Sequence, residues 1–439
     1  MKILLVGLEY LEHNYGAQAI AIPLMEKISN HLNNVKYLIA LWRNINKKKC
    51  IDIESVIAPN PFLILAKTNV MLFPFLLLVG RKKLSEEKTR YTKLVNILKD
   101  CDLIIDVSGI EFAPHEGSSF ASLKRRYVNF LKTISMQKLA EKYRKIYLKY
   151  TKSYGPFSYK DKLYKLLVKS HLNKLPFLFV RGRQNLKEIK KLKLSVPTYS
   201  FPDISISVEP YSRDWALDYL SKLDVDCSRK IGGLSPSSVI FNMKTQNNNS
   251  CGLNHLKLCK QIINFYRSNG LQVLLIPHSV YDGKNIRRCD LALTKKIYQS
   301  LKNKEDVFLI DDTNLTYKHV KAIIGLLDFY ITARYHSLCS ALSMAIPVVA
   351  LSWHMKYADI MSYFLEDFLV IDCKTTSVEK ALQLIKKYFY DRKWFDKKRI
   401  LSRKNQAIKE INRSILTLVN FVKSNIRNCS MDNCGTLNA

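Results

Sequence analysis

Apolar and polar positions follow two periods along this chain, and the switches between them mark out its elements. Residues 2–7, KILLVG, are almost unbroken in apolar character and too few for a stable helix, which predicts a buried strand. A loop over 8–15 leads to Gly16, after which AQAIAIPLMEKISNHL places apolar residues at helical spacing. Similar short runs at 35–41, 101–109, 145–150 and 177–183 predict further strands, with helical periodicity between them. The second half repeats the style. Runs at 231–241, 271–279, 307–312, 328–337 and 347–353 predict five strands, and 253–268, 290–301, 316–326 and 337–345 predict the helices separating them. Strands that are apolar throughout, alternating with helices, predict an α/β fold with parallel sheets covered on both faces.

A chain of 439 residues is long for one core and suggests two domains. The stretch PTYSFPDISISV, 197–208, carries two prolines and reads as the passage between them. The expected organisation is a first domain over 1–195, a second over 196–378, and a basic helical extension over 379–439 with a disordered tail. Residues 246–250 read as a flexible polar loop. The segment 61–83, PFLILAKTNVMLFPFLLLVGRKK, approaches bilayer-spanning length, but Lys67, Thr68, Asn69 and Pro74 interrupt it. A packed helix pair in the core is the first reading. The alternative is an apolar patch beside Arg81, Lys82 and Lys83 that rests on a membrane surface. The opening run is short for a signal peptide and contains Glu9, so the expected location is the cytoplasm, with peripheral contact at the inner face of the plasma membrane as the variant.

Charge changes the picture more than composition does. With 70 Lys+Arg against 37 Asp+Glu the net charge is +33, which draws polyanions: nucleic acid, anionic headgroups or phosphorylated small substrates. A Lys- and Asn-rich coding style produces the same excess without any partner. Nucleic-acid motifs are missing, and the buried-strand pattern fits an enzyme better than a polyanion binder. The 10 cysteines show neither a CxxC pair nor regular spacing, so reduced thiols are expected rather than a zinc ribbon or a disulfide framework. Cys429 and Cys434 are the plausible local pair. No cluster with metal-ligand spacing is apparent, and no cofactor is expected.

In doubly wound sheets, ligands collect at the carboxyl ends of strands, where helix N-termini point. That rule gathers 7–16, 108–111, 181–183, 277–279, 334–336 and 352–356 around one cleft between the domains. TARYHS sets Arg334 and His336 at a strand-to-helix junction, a combination suited to a phosphate or carboxylate. The bland alternative is an arginine capping a carbonyl and a packed histidine. His278 at a second strand end and Lys356 at a third weigh against it. From spacing alone, this is an anion-binding cleft with histidines suited to acid–base work.

These segments, in this order, resemble the polysaccharide pyruvyl transferase family over roughly 1–373 of the chain. The first loop of that family, Asn-x-Gly-(Asp/Glu)-x-Ala-Ile, corresponds to Asn14, Gly16, Ala17, Ala19 and Ile20. A Val-Arg-Asp segment corresponds to Val180, Arg181 and Gly182, a Pro-Asp pair to Pro202 and Asp203, and a Pro-His strand end to Pro277 and His278. An Arg-Leu-His strand end, a proline turn and a lysine correspond to Arg334, Tyr335, His336, Ala345, Pro347 and Lys356. Three positions depart from the pattern. Ala17 replaces the acidic residue, the glycine-rich turn has thinned to Val107–Ser108–Gly109, and Gly182 leaves Arg181 and Arg183 as rivals for one role.

The resemblance implies two Rossmann-like domains of glycosyltransferase-B-like architecture, the first on the acceptor side and the second on the donor side. It implies transfer of the pyruvyl group of phosphoenolpyruvate to two hydroxyls of a saccharide, free or lipid-linked, as a cyclic ketal. Arg334, Arg181 or Arg183 and the helix after Tyr335 would hold the donor, with Asn14, Gly16 and Lys356 also binding substrate. His336 is the first candidate for the donor-side acid or phosphate contact, and His278 the second. Glu111 or His115 would serve the acceptor. The competing readings are a nucleotide-sugar glycosyltransferase, with Glu366 and Asp367 as its acidic residues, and a non-enzymatic polyanion or membrane binder.

Overall fold

The computed structural model describes residues 1–42, 53–68, 81–113, 120–158, 160–243, 254–281, 286 and 289–432. Two compact units emerge: Met1–Tyr10 with Leu24–Pro202 and Glu410–Ala439, and Leu11–Pro23 with Asp203–Lys409. The division falls at Pro202, inside the proline-marked passage, rather than at 195. Two segments also change sides relative to the sequence expectation. Residues 11–23 fold with the later unit, and the chain from 410 rejoins the first instead of forming an extension. The change at 11 falls in a loop, but continuous helices, Tyr15–Ser29 and Lys397–Asp432, run through the changes after 23 and 409, so no break in periodicity betrays those two.

The first unit runs β1 (Lys2–Leu8), α1 (Tyr15–Ser29), β2 (Lys36–Leu41), β3 (Glu54–Ile57), α2 (Pro61–Lys67), α3 (Arg81–Asp100), β4 (Leu103–Asp106), β5 (Ile110–Glu111), α4 (Phe120–Lys142), β6 (Ile146–Lys149), β7 (Ser153–Tyr154), α5 (Lys162–Leu172), β8 (Leu178–Arg181), α6 (Arg183–Lys190) and β9 (Thr198–Phe201). Its sheet has the order β3-β2-β1-β4-β6, all parallel. The run predicted at 177–183 gives β8, which pairs with β9 in a separate parallel ladder. Within 61–83 the described residues form α2 and the start of α3; in α2 Leu63, Ile64 and Leu65 are buried, and the Asn60 side chain caps its start. Residues 69–80 lie outside the described chain, as do 246–250 and the last seven. Among the described residues no helix is long and apolar enough to cross a membrane.

The second unit opens with a 3-10 turn, Ile204–Ser207, capped by the Asp203 side chain. It continues with α7 (Arg213–Ser221), β10 (Ile231–Ser235), α8 (Ser238–Phe241), α9 (His255–Ser268), β11 (Gln272–Leu275), α10 (Asp290–Gln299), β12 (Val307–Leu309), α11 (Tyr317–Ile324), β13 (Phe329–Thr332), α12 (Tyr335–Ser343), β14 (Val348–Ser352), α13 (Lys356–Phe364), β15 (Val370–Asp372), α14 (Val378–Tyr390) and α15 (Lys397–Asp432). The run expected as one strand over 231–241 stops at Ser235 because Pro236 has no N–H for the ladder, and α8 follows. All six strands are parallel in the order β12-β11-β10-β13-β14-β15. Succession runs outward from β10 to one edge and then from β13 to the other. The carboxyl ends of β10 and β13 therefore flank the topological switch point, where open α/β sheets take their ligands.

Fully buried charges occupy the strand ends of the first unit. Lys149 lies 2.8 Å from Glu111 and 3.6 Å from Asp106, and Lys152 lies 2.6 Å from Asp106 and 2.5 Å from Glu111. The Tyr147 hydroxyl donates to Asp106 at 2.7 Å. Burial alone would raise the Asp106 carboxyl, but Lys152 and Lys149 outweigh it and hold it well below the ordinary carboxylate range. Two cations against two anions leave no net buried charge. Replacing Lys149 with methionine removes that balance and is expected to cost about 3–5 kcal/mol of unfolding free energy, measurable by denaturant titration. A loss under 1 kcal/mol would mean water reaches the quartet.

Candidate active site

Strand β13 is buried along its length and delivers Arg334 and His336 at the switch point. The Arg334 amide donates to Thr332 Oγ1 at 3.1 Å, turning the chain out of the strand, and α12 starts one residue later. Its guanidinium Nη2 donates to Ser238 Oγ at 3.0 Å and pairs with Asp290. Asp290 is fully buried. Its Oδ1 also accepts from the Ser238 amide at 2.9 Å, and its Oδ2 from the Ser279 amide at 2.8 Å. One carboxylate thus joins the chain leaving β10, β11 and β13.

The first loop closes over the same strand ends. Asn14 caps α1, accepting from the amides of Gly16 at 3.0 Å and Ala17 at 3.3 Å. Asn14 forms a β-bridge with Ser279, Tyr15 donates its amide to the His278 carbonyl at 3.3 Å, and Val280 donates to the His13 carbonyl at 2.9 Å. Buried Gln18 donates to the carbonyls of Leu11 and Glu12 and accepts from the Tyr317 amide at 2.8 Å. His336 fits under this loop. A Cβ on Gly16 would lie 2.6 Å from His336 Nδ1 and 3.2 Å from Asn14 Oδ1, so the absence of a side chain is what admits the imidazole. On the other edge of the ring, Nε2 lies 3.7 Å from Asp203 Oδ2. His336 keeps 16% of its side chain exposed.

His278 sits deeper, with 3% exposure, edge-on to the rings of Tyr15 at 5.7 Å and Tyr317 at 6.0 Å. Neither ring nitrogen has a hydrogen-bond partner among the described residues. Burial, then the charges of His336 and Arg334, push its pKa down to about 3 against the pull of Asp290. It is a neutral imidazole, able to hydrogen-bond but not to hold a proton near neutrality. The Lys356 ammonium lies over the Tyr335 ring at 4.6 Å and beside Trp353 at 5.5 Å.

Asn14, Gly16, His278, Arg334, His336 and Lys356 thus all belong to the second unit. Arg181, Arg183 and Glu111 belong to the first. The Arg181 guanidinium is buried and donates from Nε at 3.1 Å and Nη2 at 2.6 Å to the Thr151 carbonyl. Arg183 is exposed at the start of α6. Gly182 between them has φ 82° and ψ 165°, a conformation open to glycine alone, which accounts for the loss of an aspartate there. Glu111 is bound by two buried lysines, and His115 lies outside the described residues. Groups of three or more His, Cys, Asp or Glu placed to hold a metal ion do not occur among the described residues.

A family model for polysaccharide pyruvyl transferase matches residues 14–355. The chain belongs to the polysaccharide pyruvyl transferase family. The matched span begins at the Asn14 cap and takes in the Arg334–His336 junction. It makes the protein a transferase and sets aside the non-enzymatic reading. A comparison with curated proteins finds no match. Solved structures do match. Sucrose-phosphate synthase from Thermosynechococcus elongatus is 11% identical with TM-score 0.54, covering 97% of this chain and 99% of its own. HepE from Anabaena, in complex with UDP-glucose, is 10% identical with TM-score 0.53, covering 98% and 100%. A glycosyltransferase from Rickettsia africae is 12% identical with TM-score 0.51, covering 97% and 99%. At such identities these likenesses establish the fold, which is glycosyltransferase-B-like.

Three contributors to this candidate site escaped the sequence reading: Asp290, Ser238 and Tyr317. Asp290 opens a helix directly after the Pro-His strand end, a position that favours a carboxylate for local reasons, so its role as a hub left no signal. Gln18 takes the polar contacts next to Ala17, the position that is acidic in the family pattern.

Two outcomes follow from this geometry. The backbone at Gly16 is not left-handed, so alanine there is conformationally allowed and the strain falls on His336. Gly16→Ala should cut transfer by about 10²-fold, as misplacing a reacting group does, while a thermal melt stays near the wild-type midpoint. Full activity in that variant would show that the glycine serves another purpose. His278 gives a pH signature. The unfolded imidazole takes a proton at about 6.5, whereas the folded one resists until about 3, so its contribution to stability is complete above pH 6.5 and lost below it. Melting midpoints of His278→Gln between pH 6.5 and 4.5 should therefore fall less steeply than those of the wild type.

Proposed function

We propose that the protein transfers the pyruvyl group of phosphoenolpyruvate onto two hydroxyls of a saccharide, forming a cyclic ketal. The observation that carries this is the junction of Arg334 and His336 at the switch point, with the N-terminus of α12 beginning between them. The donor bears a carboxylate and a phosphate on a three-carbon frame, and recognising both needs rigidly held cations. Asp290 fixes the Arg334 guanidinium, and three aromatic rings steer Lys356. The Arg181 guanidinium serves the Thr151 carbonyl, and Arg183 is exposed on the first unit.

Transfer balances without a cofactor. The donor methylene takes one proton, its double-bond pair forming the new C–H bond, and the central carbon becomes electrophilic. The first acceptor hydroxyl adds there, phosphate departs with the C–O pair, and the second hydroxyl closes the ketal. Of the two hydroxyl protons, one replaces the proton given to the methylene and one leaves on phosphate. His336, partly exposed, is the group to move the proton, while His278 is a neutral imidazole, able to donate or accept a hydrogen bond but not to hold a proton near neutrality. The acceptor is a cell-surface polysaccharide or its lipid-linked precursor, and the reaction takes place in the cytoplasm, where a lipid-linked acceptor would bring the protein to the inner membrane face.

A nucleotide-sugar glycosyltransferase would share the fold. Its candidate acidic residues are otherwise engaged, Glu366 with Arg399 and Asp367 accepting from the Tyr388 hydroxyl at 2.5 Å. The assay that separates the two supplies acceptor extract with either phosphoenolpyruvate or nucleotide sugars. Phosphate release is expected from the first and no nucleoside diphosphate from the second. His336→Ala and Arg334→Ala should each lower phosphate release by about 10²-fold or more. Wild-type rates in His336→Ala would remove the histidine from the mechanism.

A further inference from the structure

We propose that the outward face of α5, with the start of α4 beside it, docks the first unit on an anionic lipid bilayer. The inference goes beyond pyruvyl transfer and does not rest on it.

Helix α5 has two unlike sides. Tyr164, Val168, His171 and Leu172 are buried on one. The other carries Lys162, Leu163, Leu166 and Ser170, all exposed, with Lys165 and Lys169 half-buried along its flank. Leu163 and Leu166 are 59% and 62% exposed, and no other leucine among the described residues exceeds 42%. Single exposed leucines are ordinary, but two on adjacent turns with lysines around them form a patch.

The start of α4 extends that patch. Arg126 pairs with Asp161 at 3.3 Å and lies over the Tyr164 ring at 5.7 Å. The Tyr127 hydroxyl donates to Asp161 at 3.1 Å, and its ring meets that of Tyr164 edge-on at 5.6 Å. These contacts hold the two helix starts together, and Leu123, Lys124 and Arg125 are exposed just before them.

Charge complementarity names the partner. Segment 120–127 holds three lysines and arginines and 160–172 holds four, against a single acid, Asp161. Asp161 is committed inward, to Arg126 and to the Tyr164 amide that it caps at 2.9 Å. A bilayer satisfies both halves of the patch: the ammonium groups stay at the level of anionic headgroups while the leucines enter the acyl boundary. Nucleic acid or another soluble polyanion would answer the charge and leave the leucines in water. The surface is also distinct from 61–83, where α2 buries Leu63, Ile64 and Leu65.

The test is co-sedimentation of the full chain with vesicles of equal parts phosphatidylglycerol and phosphatidylcholine, against vesicles of phosphatidylcholine alone. A net charge of +33 attracts anionic vesicles from every side, so local variants decide. The triple variant Lys124→Gln, Lys162→Gln, Lys169→Gln should partition about 10²-fold more weakly, at about fivefold per cation. The double variant Leu163→Ser, Leu166→Ser should lose about tenfold on the mixed vesicles and nothing on heparin. Equal partitioning of the wild type to both vesicles, or wild-type partitioning in either variant, overturns the proposal. A separate reading comes from Leu166→Trp, whose added fluorescence should shift to the blue on the mixed vesicles and not on heparin. No shift there overturns the proposal whatever the multiple variants do. Phosphoenolpyruvate binding should be the same in all of them, so failure of the pyruvyl-transfer reading shows separately.

Discussion

A buried carboxylate cannot stay ionised in a protein interior unless donors converge on it, and at Asp290 they come from three places that are far apart in sequence. The Ser238 amide, the Ser279 amide and the Arg334 guanidinium meet there. Losing any of them would leave charge stranded, so the three strand ends are held to a common geometry. The rest of the site depends on it. Arg334 cannot swing away, His336 two residues on is fixed with it, and the loop carrying Asn14 and Gly16 bridges to Ser279, itself bound to the same carboxylate. Preorganisation of this kind lets a guanidinium meet a phosphorylated substrate without first being ordered.

The first unit solves the same problem differently. Its carboxylates at the strand ends, Asp106 and Glu111, are neutralised by Lys149 and Lys152 within the same cluster, and no charge is left over to attract a ligand. In the second unit Arg334, Lys356 and a partly exposed imidazole stand with two buried carboxylates, Asp290 and Asp203. The same chain thus builds one charge cluster that is buried throughout and one whose Arg334 and His336 keep partial exposure. A net charge of +33 does not distinguish them, because what differs is how far the paired cations are exposed.

How much of this was legible in the sequence follows from what each feature depends on. Strand ends came through well: the runs ending at Arg334, His278 and Lys356 are apolar because they are buried in a parallel sheet, and burial is what hydropathy reads. The α/β class came with them. Pro236 ended a strand early for a local reason that the apolar run concealed. The transfer of residues 11–23 to the second unit was not readable, since α1 keeps helical periodicity across the change and nothing marks where its tertiary allegiance shifts. Short edge strands such as β15, Val370–Asp372, carry too few residues for a pattern. Asp290 was invisible for a different reason. A carboxylate in the first turn of a helix is ordinary, and its three donors lie 52, 11 and 44 residues away.

The departures from the family pattern now have physical content. Gly182 takes a backbone conformation that an aspartate could not adopt without strain, so the substitution there altered the chain path beside Arg181, not only a side chain. Ala17 is buried, and its neighbour Gln18 binds two loop carbonyls and the first amide of α11. An ionised side chain at 17 would stand in a place already furnished with a neutral donor and acceptor. Ala17 lies in the second unit beside Gly16 and Gly182 in the first, and Arg334, His336 and Gly16 stand as the pattern has them. On the function proposed above, a divergence that keeps these three residues fits a retained donor and a changed acceptor better than it fits changed chemistry. On that reading the donor must meet the guanidinium and the imidazole in one arrangement, whereas the acceptor needs only to bring two hydroxyls to the same carbon.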